Sequence, residues 1–214
     1  MMKSTQRWAG VLIVATILAG TITTQAEDVK KVGDDYRAVI WGMNGDTPWT
    51  FLLPAEGLEG LNVDKHWRRE GNTIIGAKKE GSAVLTFGEE GWKDYEIDFY
   101  VMITEGSNLD VGFRASATQS YVFKFLLGWQ ACAVTMRDSS GTPPLDHLSV
   151  VNHKIERNRE YHVQIAIRGS SITTYVDGNL VNQVTDKVLK AGKCYLEVWQ
   201  GNTEFRNIRY RRIG

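Results

Sequence analysis

Tyr95-Glu96-Ile97-Asp98-Phe99-Tyr100-Val101-Met102-Ile103 is the stretch that decides the fold. Its odd positions are all aromatic or aliphatic, and Glu96, Asp98, Tyr100 and Met102 fill the even ones. Successive side chains of a β-strand point to opposite faces, so one face of this strand belongs to a core and the other is open to solvent or ligand. The same rhythm extends outward. Leu109, Val111, Phe113 and Ala115 alternate with Asp110, Gly112 and Arg114, while Tyr121, Phe123 and Phe125 alternate with Val122, Lys124 and Leu126. Trp129 to Arg137 continues the meander, and Tyr161, Val163, Ile165 and Ile167 alternate with His162, Gln164, Ala166 and Arg168. Ile172 to Val176 runs through Asp177-Gly178-Asn179 into Leu180 to Val184; an Asp-Gly pair between apolar runs predicts a tight hairpin with positive φ. Gly192 opens a strand through Cys194, Leu196 and Val198, and Gly201-Asn202 is expected to turn the chain into a last strand, Thr203 to Ile213. No stretch carries a helical stripe. Short strands with turn signals between them predict an all-β sandwich or jelly roll of two antiparallel sheets rather than βαβ units.

The ends and the composition set the context. Lys3 and Arg7 precede an apolar run, Trp8 to Gly20, and a polar stretch, Thr21 to Gln25. That is the layout of a secretory signal, with cleavage expected after Ala26. The run is shorter than the roughly 20 residues that span a bilayer, so no stable membrane insertion is expected after cleavage, and the mature protein is expected to be secreted or periplasmic. Segment 27–57, carrying the first strand, and residues 58–214 are expected to form one domain. Lys plus Arg and Asp plus Glu each number 25, a formal net charge of zero, which leaves no basic field for nucleic acid. Arg206, Arg209, Arg211 and Arg212 are expected on both faces of a solvated edge strand. Cys132 and Cys194 can pair if their Cα atoms lie within about 7 Å; otherwise they are buried thiols on core strands.

The order of these motifs resembles the 3-keto-disaccharide hydrolase domain, also described as a 3-keto-glucoside lyase and hydratase domain, of the concanavalin A-like lectin and glucanase superfamily. The resemblance covers roughly Leu58 to Ile213. It is carried by Trp67 with Gly71-Asn72-Thr73-Ile74-Ile75-Gly76, by Leu85-Thr86 and by Trp92-Lys93-Asp94-Tyr95-Glu96-Ile97. Asn108 to Arg114, Tyr175-Val176-Asp177-Gly178 and the closing Phe205-Arg206-Asn207-Ile208 complete it. It implies a concanavalin A-like jelly-roll β-sandwich and a sugar-related ligand. The chain departs from the family where Leu109-Asp110 replace a small pair, and where Tyr100 and Val122 stand at positions that usually hold glutamate.

Candidate chemistry centres on carboxylates. Glu96 and Asp98 lie on one strand face about 7 Å apart, a separation suited to acids cooperating on a glycosidic bond; a solvated polar face is the alternative. Glu197 and Trp199 share the face opposite Cys194, Leu196 and Val198, and an indole beside acids suits a pyranose. Arg114 and Lys124 would give electrostatic support from neighbouring strands, or pair with Asp98 or Asp110. The expected catalytic set is thus Glu96, Asp98, Glu197, Arg114 and Lys124, with Trp199, Trp129, Tyr100 and Asn108 binding ligand, all converging on one concave sheet. His66, His147, His153 and His162 show no metal-binding spacing, Asn44-Gly45-Asp46 reads as a turn rather than a calcium loop, and no cofactor motif is present. A carbohydrate, as a glycoside or oligosaccharide, is the expected partner. A non-catalytic carbohydrate-binding module and a laminin-G-like adhesion domain are the other two expectations.

Overall fold

The computed structural model describes residues 48–52, 58, 61–139 and 145–213, all within the unit Thr47–Gly214. The expected secretory segment, most of segment 27–57, the Asn44-Gly45-Asp46 turn and most of Asp138-Ser139-Ser140-Gly141-Thr142-Pro143-Pro144, whose composition reads as a loop long enough to overhang a groove, lie outside the described residues.

The strands are β1 (Thr50–Phe51), β2 (Asn62–Val63), β3 (Trp67–Glu70), β4 (Thr73–Phe87), β5 (Tyr95–Glu105), β6 (Asn108–Ala115), β7 (Gln119–Leu126), β8 (Ala131–Asp138), β9 (Leu145–Asn152), β10 (Glu160–Arg168), β11 (Ser171–Val176), β12 (Asn179–Thr185) and β13 (Lys193–Arg212). β4 and β13 are long because each serves two sheets. Cys194–Trp199 of β13 pair with β4 on one side and with β6 on the other, whereas its Asn202–Arg206 half pairs with β4 and β5. The first sheet therefore runs β12-β11-β10-β5-β13-β4-β3, with β1 beside the end of β13. The second runs β9-β8-β7-β6-β13-β4-β2, and every pairing is antiparallel. This is the jelly-roll β-sandwich that the alternation predicts.

The core between the sheets takes the apolar set of each strand: Ile97 and Phe99 of β5, Val111 and Phe113 of β6, Phe123 and Phe125 of β7, Val163 and Ile165 of β10, and Leu196 and Val198 of β13. Burying each such side chain stabilises the fold by about 1.5–3 kcal/mol. Cys132 and Cys194 belong to this core as free thiols, and burial pushes both up to about 12. At one side of the sandwich the edge strands meet, where Asn182 of β12 donates to Ser149 Oγ of β9 (2.9 Å) and accepts from Thr174 Oγ1 (3.0 Å). Asp177 and Gly178, at φ 50° and 73°, make the expected hairpin turn between β11 and β12.

Three expectations change. Gly201-Asn202 is not a turn but part of the continuous β13, which shifts register between Trp199 and Gly201 and again between Arg206 and Arg209. Bulges bend a strand and increase its twist, which carries β13 from the second sheet into the first. Glycine is required there because a Cβ at Gly201 would overlap the Glu105 carbonyl. The C-terminal arginines do not form a solvated edge: β13 is interior to the first sheet, and Arg209 and Arg211 are buried. Residues Leu145–Asn152, unassigned from sequence, form edge strand β9.

Candidate functional site

On the second sheet, Tyr195, Glu197 and Trp199 of β13 point away from the core because Leu196 and Val198 point into it. Opposite them in β6 stand Gly112, Asp110 and Asn108, followed in β7 by Val122, Lys124 and Leu126. Glu197, Asp110 and Lys124 thus make one row across three strands; directly opposed residues place their Cβ atoms about 4.5–5.5 Å apart. Arg137, near the end of β8, ties the row together. Its Nη1 donates to Glu197 Oε2 (2.6 Å) and the Tyr195 hydroxyl (3.1 Å), and its Nη2 to Asp110 Oδ2 (2.5 Å), which also accepts from Lys124 Nζ (2.5 Å). Tyr195 packs on the bare backbone of Gly112, where any Cβ would overlap its ring, and its hydroxyl shares a hydrogen bond with Ser120 Oγ (3.0 Å). Glycine inside a strand marks such a close approach.

A cleft of about 230 Å³ opens over this cluster, lined by Gln119, Ser120, Arg137, Ser139, Tyr195 and Glu197 among others. Burial pushes the Asp110 carboxyl above its ordinary value, outweighing the opposing charges of Lys124 and Arg137, and the nearby Glu197 adds to the rise. Asp110 Oδ1 is buried with no hydrogen-bond partner among the described residues. Burial also raises the Tyr195 hydroxyl, against the charge of Arg137. Trp199, beside Asn108, is 45% exposed.

The outer face of the first sheet is built differently. Glu96, Asp98 and Tyr100 of β5 lie between Ala166, Gln164 and His162 of β10 and Arg211, Arg209 and Arg206 of β13. Asp98 accepts from Arg209 Nε (2.9 Å) and Gln164 Nε2 (3.0 Å) and pairs with His162 Nε2 (2.9 Å). Glu96 accepts from Arg211 Nε (2.6 Å) and Arg168 Nη2 (2.7 Å). The Trp49 ring packs on both Arg209 and Arg211, each guanidinium carbon 4.8 Å from its centroid, and His162 stacks on Tyr100 at 4.7 Å. Burial works to raise the Asp98 carboxyl, but the His162 hydrogen bond and the Arg209 charge outweigh it and hold the group below its ordinary value.

The structure therefore divides the set expected to converge. Glu197, Lys124, Trp199 and Asn108 share the second sheet's outer face, whereas Glu96, Asp98 and Tyr100 lie on the first sheet's. Both faces point away from one core, hence in opposite directions. Arg114 joins neither. At φ 46° it leaves the end of β6 and donates to the carbonyls of Lys93, Leu189 and Gly169 and to Asp94, knitting loops at the end of the sandwich. Trp129 lies on the turn between β7 and β8, 6.5 Å from the His147 ring. Sequence reasoning left Asp110, Ser120, Arg137 and Tyr195 out of the site. Gly112, sharing the face of Asp110 in mid-strand, was the signal for them. Among the described residues no cluster of His, Cys, Asp and Glu is placed to hold a metal ion, and no helix is long and apolar enough to cross a membrane.

Residues 48–211 match the family described as the 3-keto-alpha-glucoside-1,2-lyase-like domain. The chain belongs to that family. It is a carbohydrate-related family, and solved structures share the fold of this lyase-like domain at low identity. The carbohydrate-binding module CBM66 from Bacillus subtilis superposes with a TM-score of 0.61 at 18% identity, covering 78% of this chain and 96% of the other. A putative glycosyl hydrolase from Parabacteroides distasonis gives 0.57 at 18% identity, covering 78% and 100%. The Crh5 transglycosylase in complex with NAG gives 0.58 at 10% identity, covering 79% and 84%. No curated protein sequence matches the chain.

Proposed function

We propose that this domain binds a 3-keto-glycoside on the outer face of the second sheet and cleaves it by elimination, with Glu197 as the base and Asp110 as the acid. The observation that carries the reading is the opposed carboxylate pair bridged by Arg137, with Glu197 and Arg137 lining an open cleft and Asp110, paired across the strands with Glu197, raised and holding one oxygen without a hydrogen-bond partner among the described residues. The family description supplies the chemistry. A ketone at C3 acidifies the C2 hydrogen, so its removal gives an enolate whose collapse forms the C1–C2 double bond and expels the group at C1. Glu197 takes the C2 proton, and Lys124 and Arg137 offset the charge developing on the ketone oxygen. Asp110, with its raised affinity for a proton, protonates the leaving oxygen. Trp199 offers an apolar surface to the ring.

A second reading, a binding module without turnover, is favoured by one feature: Val122, fully buried opposite Gly112 on this face, stands where the family usually has a glutamate. Incubation with a 3-keto-α-glucoside separates the two. The lyase reading predicts turnover that falls by about 10²–10⁴ in Glu197→Gln and persists in folded Glu96→Gln. Absence of turnover, with saturable binding that Trp199→Ala abolishes, selects the module. Export through the leader ending at Ala26 belongs to the same proposal, and N-terminal sequencing of protein released from cells is expected to begin at Glu27.

A further inference from the structure

We propose that Trp129, His147 and Val150 form a second sugar platform on this face, so that the ligand is a chain of neutral pyranose units longer than a disaccharide. The inference rests on the reading of the second sheet's outer face given above. Val150 of β9 lies opposite Ala133 of β8, which lies opposite Lys124, so the row that begins at Glu197 and Asp110 ends at Val150. Four interstrand steps of about 4.8 Å span about 19 Å, roughly twice the length of a disaccharide. Trp199 stands at the β13 end. At the other end His147 pairs with Thr135, on the face of Lys124, and its contact with Trp129 brings that indole over the β8–β9 side.

Trp129 is 69% exposed and Val150 49%, yet the turn that presents the indole is pinned. Gln130, at φ 51°, donates from Nε2 to the carbonyls of Leu127 (2.7 Å) and Ile155 (2.9 Å). It also accepts at Oε1 from the Ile155 N–H (3.0 Å) and at its own carbonyl from the His153 N–H (2.8 Å). A large apolar ring on a fixed backbone loses little entropy when it binds, and its face complements the C–H face of a pyranose. Between the two platforms stand two acids, Asp110 and Glu197, and two bases, Lys124 and Arg137. Lys124 and Arg137 are already engaged by these acids, which favours an uncharged, hydroxyl-rich ligand over an ionic one.

Calorimetry of the purified protein with maltose and maltotetraose, and with cellobiose and cellotetraose, tests this. In one of the two series the tetrasaccharide is expected to bind about tenfold more tightly than the disaccharide, the upper range of one aromatic stacking contact. Trp129→Ala removes that gain and leaves disaccharide affinity unchanged. Equal affinity for both lengths, or a Trp129→Ala loss as large for the disaccharide as for the tetrasaccharide, overturns the second platform alone. Absence of binding in both series also overturns the second platform, while the reading of the face stands or falls separately with the 3-keto-α-glucoside.

Discussion

Glu96 and Asp98 on one outer face of the sandwich, and Asp110 and Glu197 on the other, are all carboxylates lifted out of water beside arginines, but they are finished differently. On the first sheet Asp98 has three partners and Glu96 two, with Trp49 packed on the arginines that pair with them. On the second sheet one oxygen of Asp110 has no partner among the described residues, and a cleft and a half-exposed indole adjoin the pair. Carboxylates whose oxygens are all paired beneath a packed indole serve structure, while a carboxylate with an open oxygen beside a cleft keeps electrostatic capacity for a ligand. The pairing of like charges with opposite completeness separates scaffold from site more sharply than residue type does.

The largest effect expected from this contrast is on stability. Arg211→Ala leaves Glu96 with Arg168 as its remaining cationic partner at a buried position and should cost about 3–5 kcal/mol in urea unfolding, while ligand affinity of the folded fraction stays unchanged. A smaller loss, about 1–3 kcal/mol, is expected for Gly112→Ala, because the new methyl displaces Tyr195; here ligand affinity should fall as well. The smallest effect is the pH dependence. Asp98 is held below its ordinary value when folded, so it contributes stability above the unfolded carboxyl value of about 3.9, lost as pH falls through the folded value. Asp110 is raised, and the sign reverses: its contribution is present in acid and lost as pH rises through its folded value. Unfolding measured from neutral pH to below about pH 4 should therefore show the gap between wild type and Asp98→Asn closing in acid.

Much of the fold was legible because it depends on period-two alternation, which Ile97, Phe99, Val111 and Phe123 display without interruption. The Asp177-Gly178 turn was legible for a local reason too, its need for positive φ. What was not legible depends on register between distant strands. Gly201-Asn202 has the composition of a turn, and only the approach of Glu105 makes it a bulge. Alternation puts Glu96 and Glu197 on polar faces correctly, but it cannot say that β5 and the first half of β13 lie in different sheets. Arg114 shares parity with Asp110, and its positive φ alone turns it away. Val150 and His147 escaped because the apolar residues of β9, Leu145, Leu148, Val150 and Val151, do not alternate, and the β8–β9 pairing shifts register between Val134 and Thr135.

The central claim is that ligand meets the second sheet and not the first. Chemical-shift mapping of the isotope-labelled protein titrated with a 3-keto-α-glucoside tests it most directly. The expected shifts centre on Asp110, Lys124, Tyr195, Glu197 and the Trp199 indole N–H, with Glu96, Asp98 and His162 unmoved. Shifts centred on Glu96, Asp98 and His162 would contradict the assignment and return the site to the opposite face.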